Sequence, residues 1–164
     1  MSYFKNFPII ENYQIQETNL YISDITIRNV IRNIRDDENL YIWHRVVNGE
    51  SPIVLADRMY DDSDLFWVIM LVNDIHDIEQ DWPLTQLELE RYVDRVYQDR
   101  NAIHHYESIL DGNVVDANYP DYNRVSITNI EHCFRENEKK RNIILPIPSV
   151  AIEIQSEHKR LIRR

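Results

Sequence analysis

Between Val46 and Ile75 every joint of the chain carries its own stop signal, and this stretch limits the possible folds more than any other. Leu40 to Val47 is aromatic and β-branched, which favours a strand. Asn48-Gly49 is a turn signal. Ser51-Pro52 supplies a helix N-cap and then a proline, whose missing N–H costs nothing at the first helical position. A first helix is predicted to about Tyr60, with Ile53, Leu55, Ala56, Met59 and Tyr60 on its inner side. Asp61-Asp62-Ser63 ends it and caps a second helix, Asp64 to Asn73, which is apolar almost all round and is expected to be buried on most sides. Asp74-Ile-His-Asp-Ile78 is the candidate for a short returning strand.

The flanks differ in character. Residues 1–22 are rich in Tyr and Ile without helical period and read as extended. Asp24 can cap a helix through about Arg35, with Ile27, Val30, Ile31 and Ile34 on one face and Arg28, Arg32 and Arg35 on the other. After the central unit, Thr85-Gln-Leu-Glu88 is a capping box that opens a helix expected to end near Arg100. Ile103 to Leu110 is a strand candidate, with Asp111-Gly112 as hairpin turn and Val114-Val115 returning. Ala117 to Asn123 reads as loop, Thr128 to Arg141 as a charged amphipathic helix, and Asn142 to Ile147 as a strand. From Pro148 the pattern suits a strand through Val150, Ile152 and Ile154, or a helix through Glu153, Glu157 and Leu161. The opening proline and the helix-forming end favour the helix. The expected organisation is α+β, in three segments: an arm and helix over 1–37, a core with its following helix over 38–100, and an αβ region over 101–164.

Charge and glycine narrow the function. The net charge of −10 sits entirely in residues 1–100, and residues 101–164 are neutral. This asymmetry argues against nucleic acid as a main partner, because phosphate binding needs a basic face. The longest apolar run, Leu65 to Val72, has eight residues, against about 20 for a membrane span. The N-terminal residues lack the pattern of a secretory signal. Only Gly49 and Gly112 are glycines, so neither a phosphate-cradling loop nor a dinucleotide fingerprint can be built. Cys133 is the single cysteine, which excludes an internal disulfide and suits assembly in a reducing cytoplasm.

No residue pattern points to catalysis, a cofactor or a metal. Twenty-eight carboxylates guarantee chance pairs such as Asp61/Asp62 and Glu79/Asp81, and none has the spacing of a glycosidase pair. His104 and His105 are adjacent, so on a regular strand they point to opposite faces and cannot share an ion unaided. Cys133 beside His132 meets the same objection on a helix, and a buried structural thiol is the simpler reading. Aromatic residues lead further. Tyr3, Phe4, Phe7, Tyr13 and Tyr21 belong to a segment that cannot bury itself alone and is expected to order against partners. Trp43 and Trp82, at strand and loop positions, suit interface anchors or core packing equally; Trp67 suits the core. Lys139-Lys140-Arg141 is either a solvated helix end or a docking point for an acidic neighbour.

Two resemblances follow from these segments. Val47-Asn-Gly-Glu-Ser51, Ala56-Asp-Arg-Met-Tyr60 and Trp67 to Asn73 resemble a LysM module, a strand–helix–helix–strand fold in which the Gly49-Glu50-Ser51 turn and Asn73 would flank a sugar groove. The acidic stretch from Asp74 departs from the Pro-Gly turn and Leu-x-Ile-Pro strand of glycan-binding members. Over nearly the whole chain, Asp24-Ile-Thr26, Trp67 to Ile75, Asp81-Trp-Pro-Leu84, His104-His-Tyr-Glu107, Asn113-Val-Val-Asp116 and Asn137 to Ile143 resemble the baseplate wedge protein 53 family of contractile-tailed, T-even-like bacteriophages. That resemblance implies a non-enzymatic virion subunit with a LysM-like core. It would be present in several copies in a hetero-oligomeric tail baseplate, clamping wedge and hub proteins around the tail tube, without nucleic acid, membrane or cofactor. The alternative is a peptidoglycan- or glycan-binding module, or an accessory of a cell-wall hydrolase.

Overall fold

The computed structural model describes residues 7–15, 18–24 and 34–162, and side chains outside 11–21 within them. The chain is α+β. It divides into two compact units: residues 1–44, 50–76 and 143–164 form the first, and 45–49 and 77–142 the second. The units cut across the three segments expected from sequence. The helix expected from Asp24 falls mostly on residues 25–33, outside the described residues.

In the first unit, β1 (Ile9–Ile15) and β2 (Thr18–Ser23) pair antiparallel, with a register shift between Ile10 and Tyr13. They are followed by β3 (Tyr41–Arg45), α1 (Pro52–Tyr60) and α2 (Phe66–Val72). The cap of α1 is the one its sequence asks for: Ser51 Oγ accepts the Val54 N–H at 3.3 Å and Pro52 fills the first turn. Asp61 ends α1 in the left-handed region at φ 53° and Asp62 caps the turn into α2. Leu55 and Ala56 are fully buried, whereas Ile53 is exposed. Val68 and Ile69 are buried in α2, but Leu71 lies open to solvent, so this helix is less enclosed than its composition suggests.

The strand that returns beside β3 is not Asp74–Ile78. Asp74 turns the chain at φ 55°, and Asp77 caps the short helix α3 (Ile78–Asp81) by accepting the Glu79 N–H at 2.8 Å. Carboxylates that turn the chain at Asp74 and cap a helix from Asp77 interrupt the segment before a strand can form. The partner of β3 is β7 (Asn142–Pro146), which comes from much later in the chain. Its following helix α6 (Pro148–Ile162) packs on α1 and α2. Ile34, Leu65, Val68, Ile144, Val150, Ala151 and Ile154 make up this core. The helical reading of the Pro148 region holds because Val150, Ala151, Ile154, His158 and Ile162 share its buried side while Ile152 is exposed.

His158 is buried between the rings of Trp67, at 4.8 Å, and Phe7, at 5.9 Å. Burial lowers its pKa below the ordinary 6.5. The unfolded chain therefore takes up the proton first. The stability that His158 confers is complete above the unfolded pKa and is lost as pH falls through it towards the depressed native value. Melting temperatures measured between pH 8 and pH 5.5 are expected to fall more steeply for the native chain than for His158→Phe; equal slopes would refute this.

The second unit holds α4 (Gln86–Val96), α5 (Asn129–Lys139) and a three-stranded antiparallel sheet in the order β5-β4-β6. Its strands are β4 (Ile103–Ser108), β5 (Val114–Val115) and β6 (Arg124–Thr128). Both main helices open on a capping box, Thr85 with Glu88 and Thr128 with Glu131. α4 ends at Val96, four residues earlier than its sequence suggests, and Asp94 bonds the Arg100 guanidinium at 2.9 Å. Leu89, Val93 and Cys133 pack α4 on α5. Gly112 makes the hairpin turn at φ 70°. The strand β6 was not expected from sequence although Val125 and Ile127 alternate with polar neighbours, because the run is only five residues long and leads straight into a helix cap.

The expectation that His104 and His105 face apart also fails. The register of β4 on β6 slips between Ile103 and His105. A bulge inserts one unpaired residue and breaks the alternation of faces. The two rings meet, Nδ1 to Nδ1, at 2.8 Å.

Candidate interaction surfaces

The turn after β3 is built around a buried carboxylate. Glu50 has a side chain only 3% exposed, held by His44 Nε2 at 2.8 Å and by the Arg58 guanidinium. Gly49 reaches φ 82° just before it, a conformation that strains residues with a Cβ and favours glycine. Ser51 spends its hydroxyl on the helix cap. Gly49 thus shapes the turn, and the polar side-chain groups of Glu50 and Ser51 are taken up by His44, Arg58 and the Val54 N–H.

Asn73 is occupied as well. Its Nδ2 donates to Ile69 O at 2.8 Å and Ile144 O at 2.7 Å, and its Oδ1 accepts the Ile144 N–H at 2.9 Å. The amide stands in for a neighbouring strand and satisfies both backbone groups of Ile144. Asp74 lies beside it, exposed, with Arg35 at 3.1 Å. Tyr60 donates its hydroxyl to Pro146 O at 3.0 Å, and burial pushes its pKa up.

The second unit repeats the device. Asn137, buried near the end of α5, accepts the Leu84 N–H at 2.8 Å and donates to Leu84 O at 3.0 Å. Arg141 adds to it. Its side chain is 11% exposed and bonds Val46 O at 3.1 Å, Leu84 O at 3.3 Å and Glu138 at 2.6 Å. Of the basic trio, Lys139 is exposed and paired with Glu136, Lys140 donates to Gln80 O, and Arg141 is internal. Trp82 is buried next to this network. Asn137 has no signature in the sequence that distinguishes it from a surface asparagine.

Large apolar side chains are exposed on both units. On the first unit Trp43 is 70% exposed, with Tyr41 edge-on at 5.9 Å and Ile42 beside it in sequence. On the second unit the β4–β5 hairpin ends in an apolar tip: Leu110 is 76% and Tyr122 80% exposed, with Ile109 and Val114 open too. The Ile109 N–H donates to Asn123 O at 2.8 Å, which sets the Tyr122 turn against the hairpin. Phe7 is buried against His158, whereas Tyr13 lies in β1 and its side chain is not described. Tyr3, Phe4, Arg28 and Arg32 fall outside the described residues.

Comparison with protein-family models and with curated proteins returns no match. Among the described residues no helix is long and apolar enough to cross a membrane.

Proposed function

We propose that this chain is a non-enzymatic assembly subunit, of the kind that holds neighbouring wedge proteins together in the baseplate of a contractile phage tail. The observation that carries the reading is the exposure of large apolar side chains on both units, at Trp43 and at the Leu110–Tyr122 tip. Such groups mark contact sites when they gather, and an exposed Trp or Tyr is the usual anchor of a protein interface. Several modest contacts on one chain add through effective concentration, so adjacent partners are held more tightly than any one contact allows. The sequence resemblance to the wedge protein 53 family supplies the partner class, and a virion location goes with it. The pairing of β3 with β7 around α1 and α2 supports a LysM-like strand–helix–helix–strand core, with residues 77–141 inserted before the last strand.

Co-expression with candidate baseplate wedge and hub proteins tests the proposal. A complex that survives size-exclusion chromatography is expected; a chain that elutes alone from every combination contradicts it. A LysM-like core would also support a second reading, glycan binding. The inward use of Glu50, Ser51 and Asn73 counts against it, and a chitin-oligomer titration followed by Trp fluorescence is expected to be flat. Saturable micromolar binding would favour the glycan reading instead.

A further inference from the structure

His104 and His105 on β4 and His132 on α5 each bring a ring nitrogen to within 4.8 Å of the others. The grouping has a structural cause. The bulge after Ile103 turns two consecutive histidines to one side. The start of α5 is fixed by Asn129 and Ile130, whose N–H groups bond Ala102 O and Arg100 O at 3.0 and 3.1 Å. One turn along, His132 lies against His104, rings stacked at 3.9 Å and 11°.

The protons can be placed from the partners. His105 Nε2 lies 3.1 Å from Glu107 Oε1. A carboxylate only accepts, so Nε2 carries the hydrogen and the Nδ1 of neutral His105 presents a lone pair. Glu107 is itself held by Arg135 at 2.7 Å. This carboxylate–imidazole pair is the outer-shell arrangement that fixes the tautomer of a metal-ligating histidine. The three rings form a triangle, with centroids 5.1 Å apart for His104 and His105 and 5.6 Å apart for His105 and His132.

We infer that His104, His105 and His132 form a three-imidazole site for a borderline divalent transition metal, with Zn(II) the natural occupant. Three nitrogens with one side open to solvent suit tetrahedral zinc with a water in the fourth place. Imidazole selects such ions over magnesium or calcium, which take oxygen ligands. Zinc bonds of 2.0–2.1 Å in a tetrahedron separate nitrogens by about 3.4 Å. Binding therefore moves the His104–His105 pair slightly apart, draws the wider pairs together, and turns His132 out of its stack. His104 shifts its hydrogen to Nε2. The ion would tie strand to helix inside the second unit, a staple that needs no cysteine. This inference is independent of the assembly reading.

The test uses untagged full-length chain, freed of metal by chelator and dialysis. Calorimetric titration with zinc chloride is expected to give one site per chain. Free zinc at a hundredfold excess over Kd is expected to raise the melting temperature by about 5–10 °C, with no rise from magnesium or calcium. Cobalt(II) is expected to give the intense visible bands of a tetrahedral centre. His105→Gln and His132→Gln should each abolish those bands. Glu107→Gln, which leaves all three ligands in place, should weaken zinc about 10–100-fold. The inference is overturned if wild-type chain binds no zinc below millimolar concentration, or if a triple His→Gln variant binds it as tightly.

Discussion

Asn73→Ala is expected to lower the stability of the first unit by about 3 kcal/mol. Three hydrogen bonds disappear at once, and the groups left behind are the N–H and C=O of Ile144 and the C=O of Ile69. Ile144 is buried in the core, so water reaches those groups poorly. A buried backbone group left without a partner costs about 1–3 kcal/mol, more than the net gain of a typical hydrogen bond. Asn73→Asp separates the donors from the acceptor. It keeps an oxygen for the Ile144 N–H but sets a carboxylate against two carbonyls, so it should cost at least as much. Urea denaturation gives the free energy, and hydrogen exchange at the Ile144 amide localises it. A cost below about 0.5 kcal/mol, the level of an ordinary surface substitution, would show that the clamp is not what holds β7 to α2.

Arg141→Ala is the second large effect, again about 3 kcal/mol, and it falls on the second unit. The guanidinium answers two carbonyls, Val46 O and Leu84 O, and the Glu138 carboxylate from a largely buried position. Hydrogen bonds to a charged group contribute about 1.5–3 kcal/mol each, net of the exchange with water. Arg141→Lys should recover little, because a single ammonium cannot span the three acceptors in the geometry of the guanidinium fork. Lys139→Ala, two residues away, is expected to stay within about 0.5 kcal/mol, since Lys139 is exposed and its pair with Glu136 is a surface one. The contrast matters for function. In the sequence the three basic residues look alike as docking candidates, yet a loss of partner binding in Arg141→Ala would report unfolding. Thermal denaturation of the three variants by circular dichroism separates the cases.

Much of the secondary structure was legible because its signals are local. Ser51-Pro52, Asp61-Asp62 and the Thr85-Glu88 box act within one helical turn of where they stand, and each works as its residues imply. Gly49 and Gly112 stand where the backbone takes positive φ. The tertiary pairings were hidden for the opposite reason. Asn73 and Ile144 are 71 residues apart, and nothing near Asn73 tells a reader which distant strand its amide will serve. Asp74–Ile78 offered a nearer strand, but two of its carboxylates are committed to turning and capping the chain. The histidine cluster was hidden by a single inserted residue. Alternation is a sound rule for a regular strand, and a bulge is the device that breaks it. The aromatic residues divide by context rather than type. Trp43 is exposed on β3 and Trp82 is buried near Leu84, although both stood as equal candidates.

Assembly through exposed apolar anchors is the central claim, and it is tested most directly by weakening those anchors without disturbing the fold. Trp43→Ala and a Leu110→Glu/Tyr122→Ala pair change only side chains that are more than two-thirds exposed, so their melting temperatures should match the native chain. Affinity for the proposed wedge partners, measured by interferometry, is predicted to fall about tenfold or more in at least one of the two variants. Native affinity in both, with the folds intact, would contradict the account.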